Sequence, residues 1–352
     1  MTLLLSTDDT QRTVSTADGI EALERAYQAL AEGEAAVRLR SDLIVPIQDD
    51  EAYNLATMEG AIRPLGVAAI VLRSDYNKTV IKHGAPSHEK WARQLGLFCG
   101  LTILYSIHTA EPLAIIAHGH LQVMRVGATS ALAAKYLARA DSRVCGIIGT
   151  GWQAQGHARA FAATFGLKQI RVYSRNAQAR EAFCRSMSEE LALDVVPVGT
   201  AEAAVTGSDI VAACTNSRTP VVREEWFAPG MFLSSVRGSR EVGAEAMRHA
   251  DIYGVHSLGF GPMNVVGDPE QPDRYPGVPG RMEFPGNAVS LAQIVSDPRY
   301  RRSDPRQLTY FNNNRGLGIQ FTALGKVAYD RSVQLGLGRE LPTEWFLMDI
   351  ST

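Results

Sequence analysis

The sequence predicts an α/β protein with two domains, and three observations support this prediction. A chain of 352 residues, 45% of them hydrophobic, is long for one domain and can bury a large core. Residues 143–176 have the order strand, glycine-rich turn, helix, strand, which is typical of a parallel α/β unit. Strand-like segments between residues 37 and 76 precede that unit and are separated by acidic or Gly/Pro breaks. We therefore expect a first sheet that is separate from the parallel one.

The glycine-rich turn is the strongest local signal in the chain. An apolar run ends at Ile148, and apolar residues at helical spacing begin at Trp152. Gly149 permits a tight turn, Gly151 lets backbone N–H groups approach a pyrophosphate at the helix N-terminus, and Ala154 permits close helix–strand packing. The sequence therefore predicts a dinucleotide site with six contacts: Gly149, Thr150, Gly151, Trp152, Gln153 and Ala154.

The end of the second strand of this unit indicates which dinucleotide binds. NAD-binding proteins usually place an acidic residue there for the ribose hydroxyl, whereas NADP-binding proteins place a cation. The sequence has Ser174-Arg175-Asn176, with no acid, and Arg175 can pair bidentately with a 2′-phosphate. An ordinary surface arginine is the alternative interpretation. We expect NADP(H), with NAD(H) as the alternative cofactor.

Composition and charge exclude several classes of function. A net charge of −2 gives no basic footprint for nucleic acid, and no apolar run is long enough to span a membrane. The N-terminus lacks a basic segment before its short apolar stretch, so a cytoplasmic location is expected. The four cysteines are far apart, so no paired metal-ligand spacing exists and we expect no metal site.

The remaining elements of the first module follow in chain order. Residues 15–33 predict a helix capped at Ser15 or Thr16, and strands follow from Val37. Residues 76–93 are polar and contain Gly and Pro, which favours a loop, and we expect its basic cluster either to contact substrate or to be solvated surface. That cluster comprises Lys78, Lys82, His83, His88 and Lys90. Two strands around a turn at 109–112 predict a hairpin that extends the first sheet.

The second half of the chain alternates strands with helical stretches. Residues 121–139 predict a helix joining the modules, and Arg125 near its start can hold an anionic substrate group. Strands are predicted at 194–198, 209–215 and 231–236. Because ligands collect at the carboxyl ends of parallel strands, further cofactor contacts are expected at Thr215, Asn216, Val236, Gly238 and Ser239. Residues 258–286 predict an irregular connection, and the last long helix ends near Gly336.

Taken together, several stretches resemble the ornithine cyclodeaminase/mu-crystallin family almost end to end. They are LATMEG with Met58, MRVGATSALAAKYLAR, GTGWQAQGHARAF, SDIVAACTNSRTPVV and VRGSREVGAEAM. The resemblance implies a homodimer with a Rossmann domain (126–311) inserted between two halves of a substrate-binding domain (1–125 and 312–352). It further implies a substrate site with Arg40, Met58 and Arg125, the two arginines around a carboxylate, and cofactor contacts at Asn313 and Gly316.

Three departures from the family pattern bear on the chemistry. The family lysine of a GVK motif is replaced at Gly66-Val67-Ala68, and the aspartate of true cyclodeaminases is replaced at Gly238-Ser239. Phe321 stands near a position that is usually acidic. Cyclodeamination requires groups that move protons while a side-chain amine attacks and ammonia leaves. Loss of these groups argues against it.

The sequence therefore predicts an NAD(P)H-dependent ketimine or imino-acid reductase, or an amino-acid dehydrogenase in the reverse direction. Its substrate is a small imine or amino acid, expected to carry a carboxylate. We expect Lys78, Lys82 or His83 to replace the missing lysine as the catalytic group, with His118 and His120 as weaker candidates. A cyclodeaminase and a non-catalytic NADPH-binding protein like mu-crystallin are the alternatives.

Overall fold

The computed structural model describes residues 1–82, 84–259, 261–267, 284–313 and 315–350, with backbone alone at 82, 85, 86, 239, 245 and 246. Seventeen strands and nine helices lie in these ranges. The strands are β1 Thr2–Leu5, β2 Ala35–Gln48, β3 Glu51–Ile62, β4 Val67–Lys82, β5 Ala85–Trp91, β6 Cys99–Ser106, β7 Pro112–Ala117, β8 Val144–Ile148, β9 Gln169–Tyr173, β10 Asp194–Pro197, β11 Ile210–Ala213, β12 Phe232–Ser235, β13 Ile252–Val255, β14 Met263–Val265, β15 Ala288–Ser290, β16 Thr309–Asn312 and β17 Arg339–Leu341. The helices are α1 Thr7–Thr13, α2 Thr16–Ala31, α3 Gly119–Leu137, α4 Trp152–Thr164, α5 Ala177–Leu191, α6 Ala201–Val205, α7 Ala244–His249, α8 Leu291–Ser296 and α9 Gly318–Leu335.

Eight strands form a parallel sheet in the order β10-β9-β8-β11-β12-β16-β13-β15. All of their pairings are parallel, with α-helices between most successive strands, as predicted for a dinucleotide-binding domain. The last of these strands in the sequence, β16, ends at Asn312, whereas the inserted domain was predicted to end at residue 311. The α/β fold class is therefore confirmed.

The other sheet, which we call the substrate-side sheet, has the order β14-β2-β3-β4-β6-β7-β1-β17, with β5 paired to β4. Its two peripheral strands β14 and β17 come from later in the chain. The short strand Met263–Val265 lies within the predicted inserted segment, yet it pairs with β2 of this sheet. The residues of each sheet therefore do not correspond to the three continuous segments of sequence that were predicted as domain pieces.

Residues 76–93 form a β-hairpin rather than the predicted loop. Strands β4 and β5 pair in antiparallel register from Tyr76 with Trp91 to Lys82 with Ala85, and Gly84 turns the chain with a φ of +75°. The polar composition concealed a period of two, because polar residues line both faces of this hairpin. The prediction of a loop is wrong, and the correction matters because a strand fixes which side chains face inward.

Helices fasten the two sheets together. The capping box of Ser15 and Asp18 begins α2, as predicted, and α2 packs against α3, α8 and α9. Helix α3 is buried along nearly its whole length and crosses α4 closely. A Cβ on Gly127 would lie 2.2 Å from the carbonyl oxygen of Gly156, so the crossing requires glycine. This contact sets the start of α3 beside the dinucleotide turn.

Membrane-spanning helices and metal-binding clusters are both absent from the described ranges. These ranges contain no helix that is long and apolar enough to cross a membrane. They also contain no group of three or more His, Cys, Asp or Glu side chains suited to hold a metal ion, and their four cysteines form no disulfide.

Candidate active site

One cleft of about 900 Å³ lies between the two sheets, and both predicted parts of the site border it. Its first wall consists of the carboxyl ends of β8, β9, β11 and β12, and its second of β2 to β5 with the start of α3. Most predicted contacts line it: Arg40, Arg125, Gly149, Thr150, Gly151, Trp152, Gln153, Ser174, Arg175, Asn176, Thr215, Asn216, Val236 and Asn313.

The turn after β8 fits a dinucleotide pyrophosphate. Gly149 has a φ of +115°, and a Cβ there would lie 2.2 Å from the carbonyl oxygen of Cys214, so only glycine is accommodated. Gly151 is the N-cap of α4 and provides no side-chain cap, which leaves the first N–H groups of the helix for a ligand. Ala154 is fully buried behind the turn and packs as predicted rather than lining the cleft.

The tip of β9 presents the predicted polar residues. Arg175 is exposed on the rim of the cleft and forms no ion pair within the described ranges. Arg180 donates to the carbonyl oxygen of Ser174 and lies over the ring of Tyr173, which fixes the tip. Asn176 caps α5 through the backbone N–H of Ala179. The guanidinium of Arg175 is therefore available for a ligand.

Glu241, which the sequence did not single out, ties together the tips of β11 and β12. Its fully buried carboxylate accepts hydrogen bonds from the backbone N–H and the hydroxyl of Thr215, and from the N–H groups of Val236 and Arg237. Burial raises its pKa to about 7, against the pull of these donors. An isolated Glu after a strand has no local signature, because its partners lie on another strand.

The second wall is built by alternation along the strands. Residues Arg73, Asp75 and Asn77 lie on one face of β4, and Lys90 faces the same way because it pairs with Asn77. Asn54 on β3 pairs with Asp75. The alternation of polar residues from 73 to 77 could have identified these site residues from the sequence, because strand positions that share a face with apolar residues are usually apolar themselves.

The two predicted arginines differ in their surroundings. Arg40 lies at a register shift in β2 and donates through Nε and Nη2 to Oδ1 of Asp42, at 3.0 and 2.6 Å. Arg125 on α3 is 6% exposed and forms only long bonds of 3.3 Å to Gln122, while its Nη1 has no partner in the described part of the chain. Burial and the charge of Arg73 lower the pKa of Arg125 to about 9.

Phe321, at the position expected to be acidic, explains why Arg125 lacks the carboxylate partner that Arg40 has. The ring of Phe321 lies 5.4 Å below the guanidinium carbon of Arg125, where a carboxylate would neutralise it. His118 stacks on the same ring, with centroids 4.3 Å apart, and is fully buried between Thr102 and Gln122. Burial lowers the pKa of His118 well below its ordinary value, so it is a neutral packing residue.

Arg73 and Lys90 complete the second wall; Arg73 was not predicted, whereas Lys90 belongs to the basic cluster that was expected to contact substrate or to be solvated surface. Arg73 is 4% exposed and pairs through Nη2 with Oδ2 of Asp75 at 2.5 Å. Lys90 lines the open cleft and is exposed there. Burial and the neighbouring charge of Arg73 lower the pKa of Lys90 to about 7.

The predicted catalytic group requires correction. Lys78 lies on the opposite face of β4 from the cleft, where its ammonium bonds to Glu51 and approaches Asp50 at 3.9 Å. The side chain of Lys82 and all of His83 lie outside the described residues. Ala68 also faces away from Arg73 and Asp75, so the absence of the family lysine at this position removes no side chain from the cleft. From the same hairpin, Lys90 and His88 reach the cleft instead.

Four other predicted contacts lie elsewhere. Met58 is 1% exposed and packs in the core rather than against the cleft. Gly238 is buried behind the lining residues Arg237 and Arg240, and the side chain of Ser239 is not described. Gly316 is a packing position, since a Cβ there would lie 2.5 Å from Nη1 of Arg125. His120 bonds to the carbonyl oxygen of Val14, away from the cleft.

Asn313 is oriented by a buried hydrogen-bond chain. Its Nδ2 donates to Ser130 and to the carbonyl oxygen of Val126, so its Oδ1 accepts from Nε2 of His256 at 2.7 Å. Nδ1 of His256 then accepts from the hydroxyl of Tyr27. Burial lowers the pKa of His256 to about 3, which agrees with this neutral tautomer. Asn313 is therefore fixed at the junction of the two walls.

Comparisons with known proteins extend over almost the whole chain. A Delta(1)-pyrroline-2-carboxylate reductase from Bacillus cereus is 25% identical over 343 residues, covering 96% of this chain and 99% of that protein. Alanine dehydrogenase from Archaeoglobus fulgidus is 26% identical over 351 residues, covering 97% and 98%. The structure of Thermococcus litoralis Delta(1)-pyrroline-2-carboxylate reductase in complex with NADH and L-proline has a TM-score of 0.78 at 27% identity, covering 96% and 100%.

A model of the ornithine cyclodeaminase/mu-crystallin family matches residues 73–335, which is more than half of the sequence. The match includes the dinucleotide turn, Arg125 and the strands that form the first wall of the cleft. The resemblance seen in the sequence is thereby confirmed: the chain belongs to the ornithine cyclodeaminase/mu-crystallin family.

Proposed function

We propose that this protein is an oxidoreductase that uses a nicotinamide dinucleotide to reduce the C=N bond of a small imino acid, or to oxidise the corresponding amino acid. One observation carries the proposal: the buried, incompletely bonded guanidinium of Arg125 shares a single cleft with the dinucleotide turn at Gly149. The names of the relatives agree, since they comprise an imino-acid reductase and an amino-acid dehydrogenase.

The residues of the cleft position the substrate. Arg125 and Arg40 offer planar N–H donors, which suit bidentate binding of the carboxylate beside the imine carbon. When bound, the reduced nicotinamide supplies the hydride. A protonated imine already carries its positive charge, so alignment in the cleft supplies much of the rate enhancement. Trp152, beside the turn, lines the cleft and packs edge-on against Phe98.

The state of Asp75 favours reduction over cyclodeamination. Burial opposes its ionisation, but the charges of Arg73, Lys90 and Arg40 outweigh burial and lower its pKa. An ionised aspartate in an ion pair is poorly suited to donate the proton that ammonia needs as it leaves. A reductase requires no such donor.

The experiment is a panel of linear and cyclic imino acids with NADPH and NADH, followed by loss of absorbance of the reduced cofactor. We expect stoichiometric cofactor consumption and amino-acid formation. Ammonia release without net consumption of cofactor would instead identify a cyclodeaminase. Tight NADPH binding with no turnover across the panel would identify a binding protein and reject the proposal.

We infer a preference for NADP(H) over NAD(H). Support comes from the tip of β9, which carries the exposed Arg175 and no acidic side chain that would repel a 2′-phosphate. Replacement Arg175→Ala is expected to raise the KM for NADPH about tenfold or more, as expected for loss of a charge-assisted hydrogen bond, and to leave the KM for NADH unchanged. Equal effects on both cofactors would contradict this inference.

We further propose a homodimer that uses the outer face of the substrate-side sheet. That face carries a continuous apolar patch, which includes the exposed Leu101 and the half-buried residues Ile70, Leu72, Ile103 and Ile115. A sheet face of this kind is normally covered. Light scattering coupled to size exclusion should give twice the chain mass, and Leu72→Asp should give the monomer.

A further inference from the structure

The substrate end of the cleft contains more positive charge than one carboxylate requires. Four cations, Arg40, Arg73, Lys90 and Arg125, border it, whereas the neighbouring acids Asp42 and Asp75 are each paired with one arginine. Arg125 and Lys90 are therefore in excess. Arg125 is buried, and a buried charge without a partner is costly, whereas Lys90 is exposed at the cleft; together they indicate a ligand that brings two negative charges.

Arg73 is the first group that points to a second acidic site. Its Nη2 bonds to Asp75, but its Nε is buried and has no hydrogen-bond partner among the described residues. Nearly all buried donors in folded proteins are satisfied, and a donor left over in a cleft indicates an acceptor on the ligand. Burial lowers the pKa of Arg73, and Asp75 counteracts this.

Lys90 is the second such group. The register of β4 and β5 sets it beside Asn77, two residues along the inner face from Asp75 and four from Arg73. Within the described ranges its ammonium forms neither a hydrogen bond nor an ion pair. Because Lys90 lies at the cleft and is not ion-paired with an acid of the described chain, its ammonium is placed to meet an anionic group of a ligand.

The two positive regions are separated by aromatic rings. Arg73 lies over Phe98 at 5.6 Å, and Arg125 lies over Phe321 at 5.4 Å. His118 lies between those rings, at centroid distances of 5.7 and 4.3 Å. Each guanidinium therefore lies against its own ring, although the two groups are close enough for the charge of Arg73 to lower the pKa of Arg125.

We propose that the substrate carries a second carboxylate, bound by Arg73 and Lys90, while Arg125 and Arg40 hold the carboxylate beside the imine carbon. This inference rests on the proposed function and specifies its substrate as a dicarboxylic imino acid. Two carboxylates suit Arg125 and Lys90, the two of these four cations that are not paired with Asp42 or Asp75.

The test compares 2-oxo acids of equal chain length, each reduced in excess ammonia at pH 7. The pairs are oxaloacetate with 2-oxobutyrate, 2-oxoglutarate with 2-oxopentanoate, and 2-oxoadipate with 2-oxohexanoate, which differ by one carboxylate in place of methyl. At the usual strength of a hydrogen bond to a charged group, the dicarboxylic member of at least one pair should have a kcat/KM roughly 10- to 100-fold higher.

Variants then assign the preference to residues. Lys90→Gln should lower the dicarboxylate-to-monocarboxylate ratio of kcat/KM about tenfold or more. Lys78→Gln is the matched control, since Lys78 lies on the same hairpin but on its outer face. The double variant Arg73→Gln/Asp75→Asn removes both charges of the buried pair without leaving either one alone, and it should lower the same ratio.

The outcomes separate this inference from the proposed function. Equal rates for both members of every pair, or a ratio unchanged in Lys90→Gln and in the double variant, would overturn the second carboxylate while leaving imine reduction intact. If no imine is reduced, the proposed function fails. In that case, binding of L-glutamate and of L-norvaline can still be compared by the quenching of bound NADPH fluorescence. The inference requires that glutamate bind at least tenfold more tightly than norvaline.

Discussion

Arg125 and Arg40 are expected to respond oppositely to the same substitution, although both are proposed to bind the substrate carboxylate. In Arg125→Met the apolar stem is retained and the charge is removed. The structure predicts lower activity together with equal or greater stability of the ligand-free protein. Arg40→Met should lower both.

The magnitude for Arg125 follows from its burial. Its pKa is lowered from the ordinary arginine value to about 9, which at 1.36 kcal/mol per pH unit corresponds to a penalty of the order of 5 kcal/mol on the folded state. The unfolded chain holds this proton more tightly, so the penalty is fully present below pH 9. Its contacts with Gln122 and Phe321 offset only about 1–2 kcal/mol.

Arg40 has the opposite balance because it neutralises Asp42. Removal of the guanidinium leaves that carboxylate, 2% exposed, with the amide of Asn54 as its remaining side-chain donor. Loss of one partner of a buried ion pair costs about 3–5 kcal/mol. Both variants should lose about 10- to 100-fold in kcat/KM for the imino acid, as expected when a charged hydrogen bond is removed.

Thermal unfolding without ligand and steady-state kinetics measure the two effects. We expect the melting temperature of Arg125→Met to equal or exceed that of the parent protein, and that of Arg40→Met to fall by several degrees. The reasoning is refuted if Arg125→Met is destabilised as strongly as Arg40→Met, because an unseen structural partner would then neutralise Arg125.

Three further predictions concern other parts of the cleft. Gly149→Ala should abolish NADPH binding in a fluorescence titration and cost at least about 1–3 kcal/mol in chemical denaturation, since φ is positive and Cβ meets a carbonyl oxygen. Glu241→Gln should raise the KM for the cofactor about tenfold with a smaller change in kcat, because an amide cannot accept all four hydrogen bonds. Lys90 faces Arg73, Asp75, Arg40 and Arg237, and its pKa is lowered to about 7. It loses its positive charge as the pH rises through 7, so kcat/KM for a dicarboxylic substrate should fall over that range. A pH profile that keeps this fall in Lys90→Gln would contradict the assignment.

Local patterns were sufficient for the cofactor half of the site. The turn at Gly149 needs only neighbours in sequence to be recognised, since strand, glycine and helix follow one another directly. The tips at Ser174 and Thr215 were then located by a general property of parallel sheets, in which ligands lie at the carboxyl ends. Glu241 was not predicted from the sequence, because its hydrogen bonds join residues at the ends of two separate strands.

The substrate half depended on pairing that composition does not reveal. Lys78 and Lys90 are both basic residues of one polar stretch, but the register of β4 and β5 places the first outside and the second in the cleft. A difference of one position along a strand reverses the face that a side chain occupies. The sequence therefore predicted a basic contribution from this segment, and the wrong lysine for it.

By itself, then, the sequence determined the fold class, the glycine-rich turn and the family, and it predicted two arginines for a carboxylate site, because each is encoded by short-range pattern or residue type. Only the tertiary structure decided which cations face the substrate and how they are charged. Those properties arise from burial and from partners distant in the chain, as when Phe321 rather than a carboxylate lies below Arg125. The residual positive charge of the cleft is a consequence of that packing, and it is the basis for expecting a dicarboxylic substrate.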